Sequence, residues 1–356
     1  MFWGRSILLG QKCFSTKDPR SIDRIFFDRE MELNELKEKL DKPLLLLTGI
    51  RRIGKTSVLN VFLNESKTPF ILIDTRSLKR NYSVEDLYKL IARSLSSSLS
   101  NIYEVLKNIK RIKILGNEIE IAWRGKDYVS LSELFDELNS KRVIVAVDEA
   151  QLLRGPNSIE IKNAIAHSYD YNRNITFILT GSEAGLLYQF LGIKDQNSPL
   201  FGRSYHEVKL ERFDKETSKR FLEKGFSEAN FNVEQKIIDE AVDEFDGIVG
   251  WLTYFGSRWI SGLRDINEVK KIAISIAKSE IINACRGRST RLLTALKCIA
   301  KGSDSWSSLR SCIESVEGRT ISSSVLDNVI RSLEDLSLIK AYSFLDKIYA
   351  EAAKDV

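Results

Sequence analysis

The stretch Gly49-Ile50-Arg51-Arg52-Ile53-Gly54-Lys55-Thr56-Ser57 decides how this chain is read. It fits G-x-x-x-x-G-K-[ST], and its flanks give that pattern weight. Before it stands Leu44–Thr48, four leucines and a threonine, the kind of run that a strand buried on both faces shows. After it, an apolar periodicity through Leu63 predicts a helix. Strand, glycine turn and helix start together make a phosphate cradle. The glycines let the backbone curl so that successive N–H groups face one point, and the helix N-terminus adds its positive dipole. Residues 49–57 are the predicted binding loop. Lys55 is expected to reach the β- and γ-phosphates, and Thr56 to offer its hydroxyl to Mg²⁺. Arg51 and Arg52 contribute backbone N–H groups, while their side chains can point to solvent.

Downstream, Val143–Val147 is a second apolar run, ending in Asp148-Glu149. Carboxylates at the C-terminal tip of a parallel strand lie in the crevice where such sheets bind ligands. Asp148 is the candidate Mg²⁺ holder and Glu149 the candidate water activator. Ile175–Thr180 is another strand, ending in Thr180-Gly181-Ser182, where Ser182 is a candidate γ-phosphate contact. Gly202-Arg203, before the strand Tyr205–Leu210, offers a cation for transition-state charge.

With Phe70–Asp74 these strands alternate with helices at Arg29–Leu40, Val84–Leu99, Leu131–Leu138 and Ile159–Asn172, which predicts an α/β fold with a parallel sheet covered on both faces. Ile112 to Ile121, around Gly116-Asn117, reads as an inserted surface hairpin. From Phe213 the strands stop. Helical patterns at Asp214–Gly225, Val233–Phe245, Trp251–Ile260 and Ile266–Ala284 predict a helical domain. Thr290–Ala300, Ser305–Val316 and Ser322–Leu336, followed by strand-like Leu338–Tyr342 and Lys347–Tyr349, predict a winged helix. The expected divisions are an arm at 1–22, a core at 23–212, a helical lid at 213–286 and the winged helix at 287–356.

Composition excludes several chemistries. The 356 residues are 43% hydrophobic and 29% charged, with a formal net charge of +5, which permits an acidic partner without demanding one. Two histidines and four separated cysteines without a C-x-x-C pair exclude a zinc cluster and histidine-based catalysis. Buried thiols in a cytoplasmic protein are the expected reading. No apolar run reaches the roughly 18 residues needed to span a bilayer, and Met1–Phe14 is too short of apolar residues for a signal peptide.

Taken together, these pieces resemble the archaeal ATPase family, in the signal-transducing (STAND) branch of the AAA+-related P-loop ATPases. Phe27-Asp28-Arg29-Glu30 with Glu32-Leu33 resembles the family's opening motif, which packs near adenine. Val147-Asp148-Glu149-Ala150-Gln151 resembles its Walker B segment, and Thr180-Gly181-Ser182 its sensor strand. Ser198-Pro199-Leu200-Phe201-Gly202-Arg203 resembles its arginine segment, and Gly247-Ile248-Val249-Gly250-Trp251-Leu252 its lid segment. The match is good from Asp23 to Gly256 and looser beyond. Val249 stands where the family usually carries proline, so the lid turn lacks a fixed φ. The resemblance implies strand order 5-1-4-3-2, with Ser182 between the loop and Asp148-Glu149. It also implies ATP or ADP with Mg²⁺, with Phe27, Arg29 and Val249 as further nucleotide contacts. The expected activity is a slow ATPase acting as a switch, with a protein partner at the winged helix or lid and no membrane. An ATP-dependent DNA-binding or remodelling protein is the alternative; a small-molecule kinase is disfavoured by the paired acids and the helical appendages.

Overall fold

The computed structural model describes residues 27–79, 81–106, 112–122 and 128–356. The expected arm at 1–22 lies outside the described residues. The described chain divides into two compact bodies, one of residues 29–49 and 55–210, the other of 50–54 and 211–356 with Phe27 and Asp28.

The first body is built on a sheet of β1 (Leu44–Thr48), β2 (Phe70–Asp74), β5 (Val143–Asp148), β6 (Ile175–Gly181) and β7 (His206–Lys209), with β3 (Ile112–Leu115) and β4 (Glu118–Ile121) forming the predicted antiparallel hairpin. The sheet order is β7-β1-β6-β5-β2 and every pairing is parallel. That is the predicted order. β1 has no exposed residue, since both its faces are covered. The register sets Thr48 opposite Gly181 and Asp74 opposite Asp148, so β1, β2, β5 and β6 end side by side. Helices α1 (Glu30–Glu38), α2 (Lys55–Glu65), α3 (Val84–Ser97), α4 (Leu99–Leu106), α5 (Leu131–Leu138), α6 (Ser158–Tyr171) and α7 (Ala184–Leu191) belong to the same body. Two differ from expectation: the helical chain continues past Leu99 as α4, and α7 was not predicted.

In the second body, α8 (Lys215–Glu228), α9 (Gln235–Phe245), α10 (Val249–Ile260) and α11 (Ile266–Cys285) pack around aromatic residues; Phe255 lies 5.6 Å from Phe245 and 5.4 Å from Trp259, ring to ring. The winged helix follows as α12 (Arg291–Ala300), α13 (Trp306–Glu317), α14 (Ser323–Asp335) and the wing β8 (Ile339–Lys340) and β9 (Ser343–Phe344). Lys347–Tyr349, predicted as a strand, instead starts α15 (Lys347–Ala353). Asp346 accepts the N–H groups of Ile348 and Tyr349, satisfying two donors that only a helix start leaves free.

The cysteines also depart from expectation. Cys298 on α12 and Cys312 on α13 form a disulfide, with Cα atoms 5.9 Å apart. Cys285 is a buried free thiol, pushed up to about 11 by that burial. Among the described residues no helix is long and apolar enough to cross a membrane.

Candidate functional site

Three residues of the loop after β1 have positive φ: Gly49 at 144°, Arg52 at 66° and Gly54 at 99°. These turns curl the chain from the end of β1 into the start of α2, as the glycine spacing predicts. Lys55, only 4% exposed, folds back so that its Nζ donates to the Gly49 carbonyl at 2.9 Å. Ser57 is exposed on α2, while Ile53 is buried.

Asp148, the last residue of β5, and Glu149 just after it lie beside this helix start and differ sharply in environment. Thr56 Oγ1 donates to Asp148 Oδ2 at 2.9 Å, and Thr180 Oγ1 donates to Oδ1 at 2.6 Å. Asp148 is 2% exposed. Burial raises its carboxyl above the ordinary range, reinforced by the Glu149 charge, against the Thr180, Thr56 and Arg76 contacts that pull it down. Glu149 goes the other way. Burial pulls upward there too, but the Lys55 charge and hydrogen bonds from Ser182 and Gln151 outweigh it and leave the carboxyl below its usual value. One acid is therefore buried and bridged to Thr56, and the other is held as a carboxylate.

Glu149 is held in detail. Its φ of 56° lies in the left-handed region, costly for a residue with a Cβ. The Oε2 atom accepts from Ser182 Oγ at 2.7 Å, Gln151 Nε2 at 2.5 Å and Ser182 N–H at 3.3 Å. Its own N–H donates to Thr180 Oγ1 at 3.0 Å. Just after β2, the Thr75 hydroxyl donates to the carbonyl of Asp148 at 2.8 Å and to that of Glu149 at 2.7 Å. Arg76 pairs with Asp74 at 2.7 Å and stands 3.5 Å from Asp148.

The other expected residues have different surroundings. Ser182, the expected γ-phosphate contact, donates its hydroxyl to Glu149, because the turn after β6 brings it across from the end of β5. Arg203 pairs with Asp170 at 2.5 Å and donates to the Pro199 carbonyl; among its described contacts none is to Asp148 or Glu149. Arg29 pairs with Glu32 at 2.7 Å and is 7% exposed.

In the second body, Phe27 lies 5.7 Å from the Phe221 ring, with Lys224 5.4 Å over its face. Val249 opens α10 and would meet a Cβ on Gly54 at 3.2 Å. The lid turn is fixed without proline: Asp246 and Gly247 both have positive φ, and the Phe213 N–H donates to the Gly247 carbonyl at 2.9 Å. The middle of the loop also behaves differently from expectation. Arg52 does not point freely to solvent; its guanidinium lies 4.0 Å over the Trp251 ring and pairs with Glu280 at 2.6 Å.

Sequence reasoning gave Gln151, Thr75 and Arg76 no role. Gln151 stood in the quoted Walker B segment, two residues past Glu149, and that spacing was its only signal.

Residues 26–255 match a family described as an ATPase domain predominantly from Archaea, and residues 286–347 match the C-terminal winged helix-turn-helix domain of MCM proteins. A Walker-type ATPase of Pyrococcus abyssi is 35% identical, with a TM-score of 0.80 over 96% of this chain and 99% of that one. The ORC1 protein of Aeropyrum pernix, solved in complex with DNA, is 15% identical, with a TM-score of 0.47 over 96% of this chain and 95% of that one. DnaA from Aquifex aeolicus, solved with AMPPCP, is 15% identical, with a TM-score of 0.42 over 89% of this chain and 92% of that one. No curated protein matches.

Proposed function

This chain belongs to the family of ATPase domains found predominantly in Archaea, and we propose that it binds Mg·ATP, hydrolyses it slowly to ADP and phosphate, and acts as a nucleotide-dependent switch. The observation that carries this reading is the paired but unlike acids: Asp148 bridged to Thr56, and Glu149 held as a carboxylate by Lys55, Ser182 and Gln151. An oxygen donor set of one hydroxyl and one carboxylate suits a hard divalent cation. Thr56 and Asp148 would hold Mg²⁺, which supplies neutralising charge to the β- and γ-phosphate oxygens. Lys55 would move from the Gly49 carbonyl to those phosphates. Glu149 then orients the attacking water and takes its proton, with its carboxylate aimed by Ser182 and Gln151. Phe27 and Arg29 stay assigned to the base and Val249 to the lid. A part for Arg203 requires its release from Asp170.

Nucleotide state biases a switch only through contacts that differ between ATP and ADP. We assign the ATPase core to 23–212, the lid to 213–286 and the winged helix to 287–356, place the chain in the signal-transducing branch of these ATPases, and assign it to the cytoplasm, where ATP is made and used. Its partner is a protein engaged by the winged helix or lid. The test is calorimetry and turnover together. Lys55→Ala should lose measurable Mg·ATP affinity, and Glu149→Gln should keep affinity while losing hydrolysis by roughly 10²-fold or more. Unchanged affinity in the first, or comparable turnover in the second, overturns the reading.

A further inference from the structure

The middle of the phosphate loop is built into the C-terminal body by one knot of contacts that the proposed chemistry does not use. Arg52 is in the left-handed region, which a residue with a Cβ keeps only under outside support. That support comes from α10 and α11. The Arg52 carbonyl accepts the Gly250 N–H at 2.8 Å, and its guanidinium lies over Trp251 and pairs with Glu280. Glycine is required at 250, since a Cβ there would come within 2.7 Å of the Arg52 Cβ and 2.8 Å of its carbonyl oxygen.

Both partners of Arg52 lead to the same helix. Glu280 accepts the hydroxyl of Tyr349, on α15, at the carboxylate oxygen that also faces Arg51 Nε at 3.6 Å. The Trp251 indole N–H donates at 2.8 Å to Asp346, the residue that caps α15. One turn of the loop is thus tied at two points to the last helix of the chain. On another side Lys347 and Ala350 of α15, with Tyr342 and Ser343 of the wing, border a cavity of about 650 Å³, and Lys347 Nζ donates to the Asp243 carbonyl at 2.9 Å.

We propose that Arg52 is a positioning residue for the phosphate cradle and that Glu280 is the relay by which nucleotide in the cradle and the state of α15 and the wing control each other. This rests on the Mg·ATP reading and names the regulation of that site. Glu280, Trp251 and Gly250 hold the backbone of Arg52 in the turn that aims the loop's N–H groups, so the cradle is preorganised from the C-terminal body. By reciprocity, phosphate that fixes the turn also fixes Glu280 and, through Tyr349, α15. A partner seated on the winged helix that moves α15 would loosen the cradle by the same coupling.

The full chain and its Glu280→Gln and Tyr349→Phe variants test this, with Mg·AMPPNP as the probe. Calorimetry gives affinity, and hydrogen exchange over residues 347–353 gives the response of α15. In the unaltered chain the nucleotide should slow that exchange about threefold or more; Glu280→Gln should bind roughly 5- to 20-fold more weakly and lose the α15 response. Tyr349→Phe removes only a hydroxyl, so it settles the matter if Glu280→Gln fails to fold. It should keep affinity within about threefold yet lose most of the exchange response. A purely structural Glu280 would lower the melting temperature without nucleotide and leave the α15 response intact. Variants that bind and respond like the unaltered chain overturn the proposal alone, as does an unaltered chain that binds nucleotide with no response in α15. An unaltered chain that binds no nucleotide removes the Mg·ATP reading and this proposal with it.

Discussion

Ser182→Ala separates two roles for one hydroxyl. In the structure Ser182 Oγ is one of three donors on Glu149 Oε2, with Gln151 Nε2 and the Ser182 N–H. A hydrogen bond to a charged group is worth roughly 1.5–3 kcal/mol, and because two donors remain and the half-buried carboxylate is partly screened, about half of that is lost. At 1.36 kcal/mol per pKa unit, the Glu149 carboxyl should rise by about 0.5–1 unit. The sign follows from its role as base. Glu149 must be ionised to accept the water's proton, so the acidic limb of kcat should move to higher pH by that amount, with KM for Mg·ATP nearly unchanged. The assay is steady-state phosphate release from about pH 4 to pH 9 on both proteins. If the limb stays within about 0.2 unit while KM for ATP rises, Ser182 works on the phosphate as its position in the sequence suggested, and the arrangement described for Glu149 does not govern the reaction.

Gly247→Ala should destabilise the chain by on the order of 3 kcal/mol, because its Cβ would fall 2.0 Å from the Phe213 carbonyl oxygen at a φ of 71°. An unchanged urea midpoint would mean that the glycine turn is not what stands in for the missing lid proline. Cys298→Ser with Cys312→Ser, or reductant on the unaltered chain, should remove roughly 3 kcal/mol by the loop-closure estimate for the disulfide between residues separated by 14 positions. Melting curves that coincide with and without reductant would remove that contribution. Random duplex DNA should bind the full chain more weakly than about 1 μM at physiological salt, with or without ATP. The winged-helix segment has ten basic against nine acidic residues, and Asp327 on α14 already accepts from the Trp306 indole at 2.8 Å; sub-micromolar anisotropy binding would favour the DNA reading.

What the sequence carried and what it hid divide by the range of the interactions. Lys55 and Thr56 are fixed by the local run from strand through glycines to helix, and Asp148-Glu149 by the end of a fully apolar strand, so periodicity and spacing suffice for both. Thr75 and Ser182 reach Glu149 only once β2, β5 and β6 lie side by side, and for Gln151, two residues on, no spacing encodes that its amide turns back onto the Glu149 carboxylate. The same holds for Arg52. Its type and position were plain, but its orientation is set by Trp251 and Glu280, about 200 and 228 positions away. α15 was missed for a local reason, since Lys347–Tyr349 is too short for periodicity to separate strand from helix; the signal lay one residue earlier, in the capping Asp346. That residue also receives the Trp251 indole, so the helix start that periodicity could not reveal is held in part by a side chain that also touches the phosphate loop. Local structure and the proposed relay therefore share one cause: the C-terminal helix begins where it does because Asp346 serves both its own backbone and the ring on which Arg52 rests.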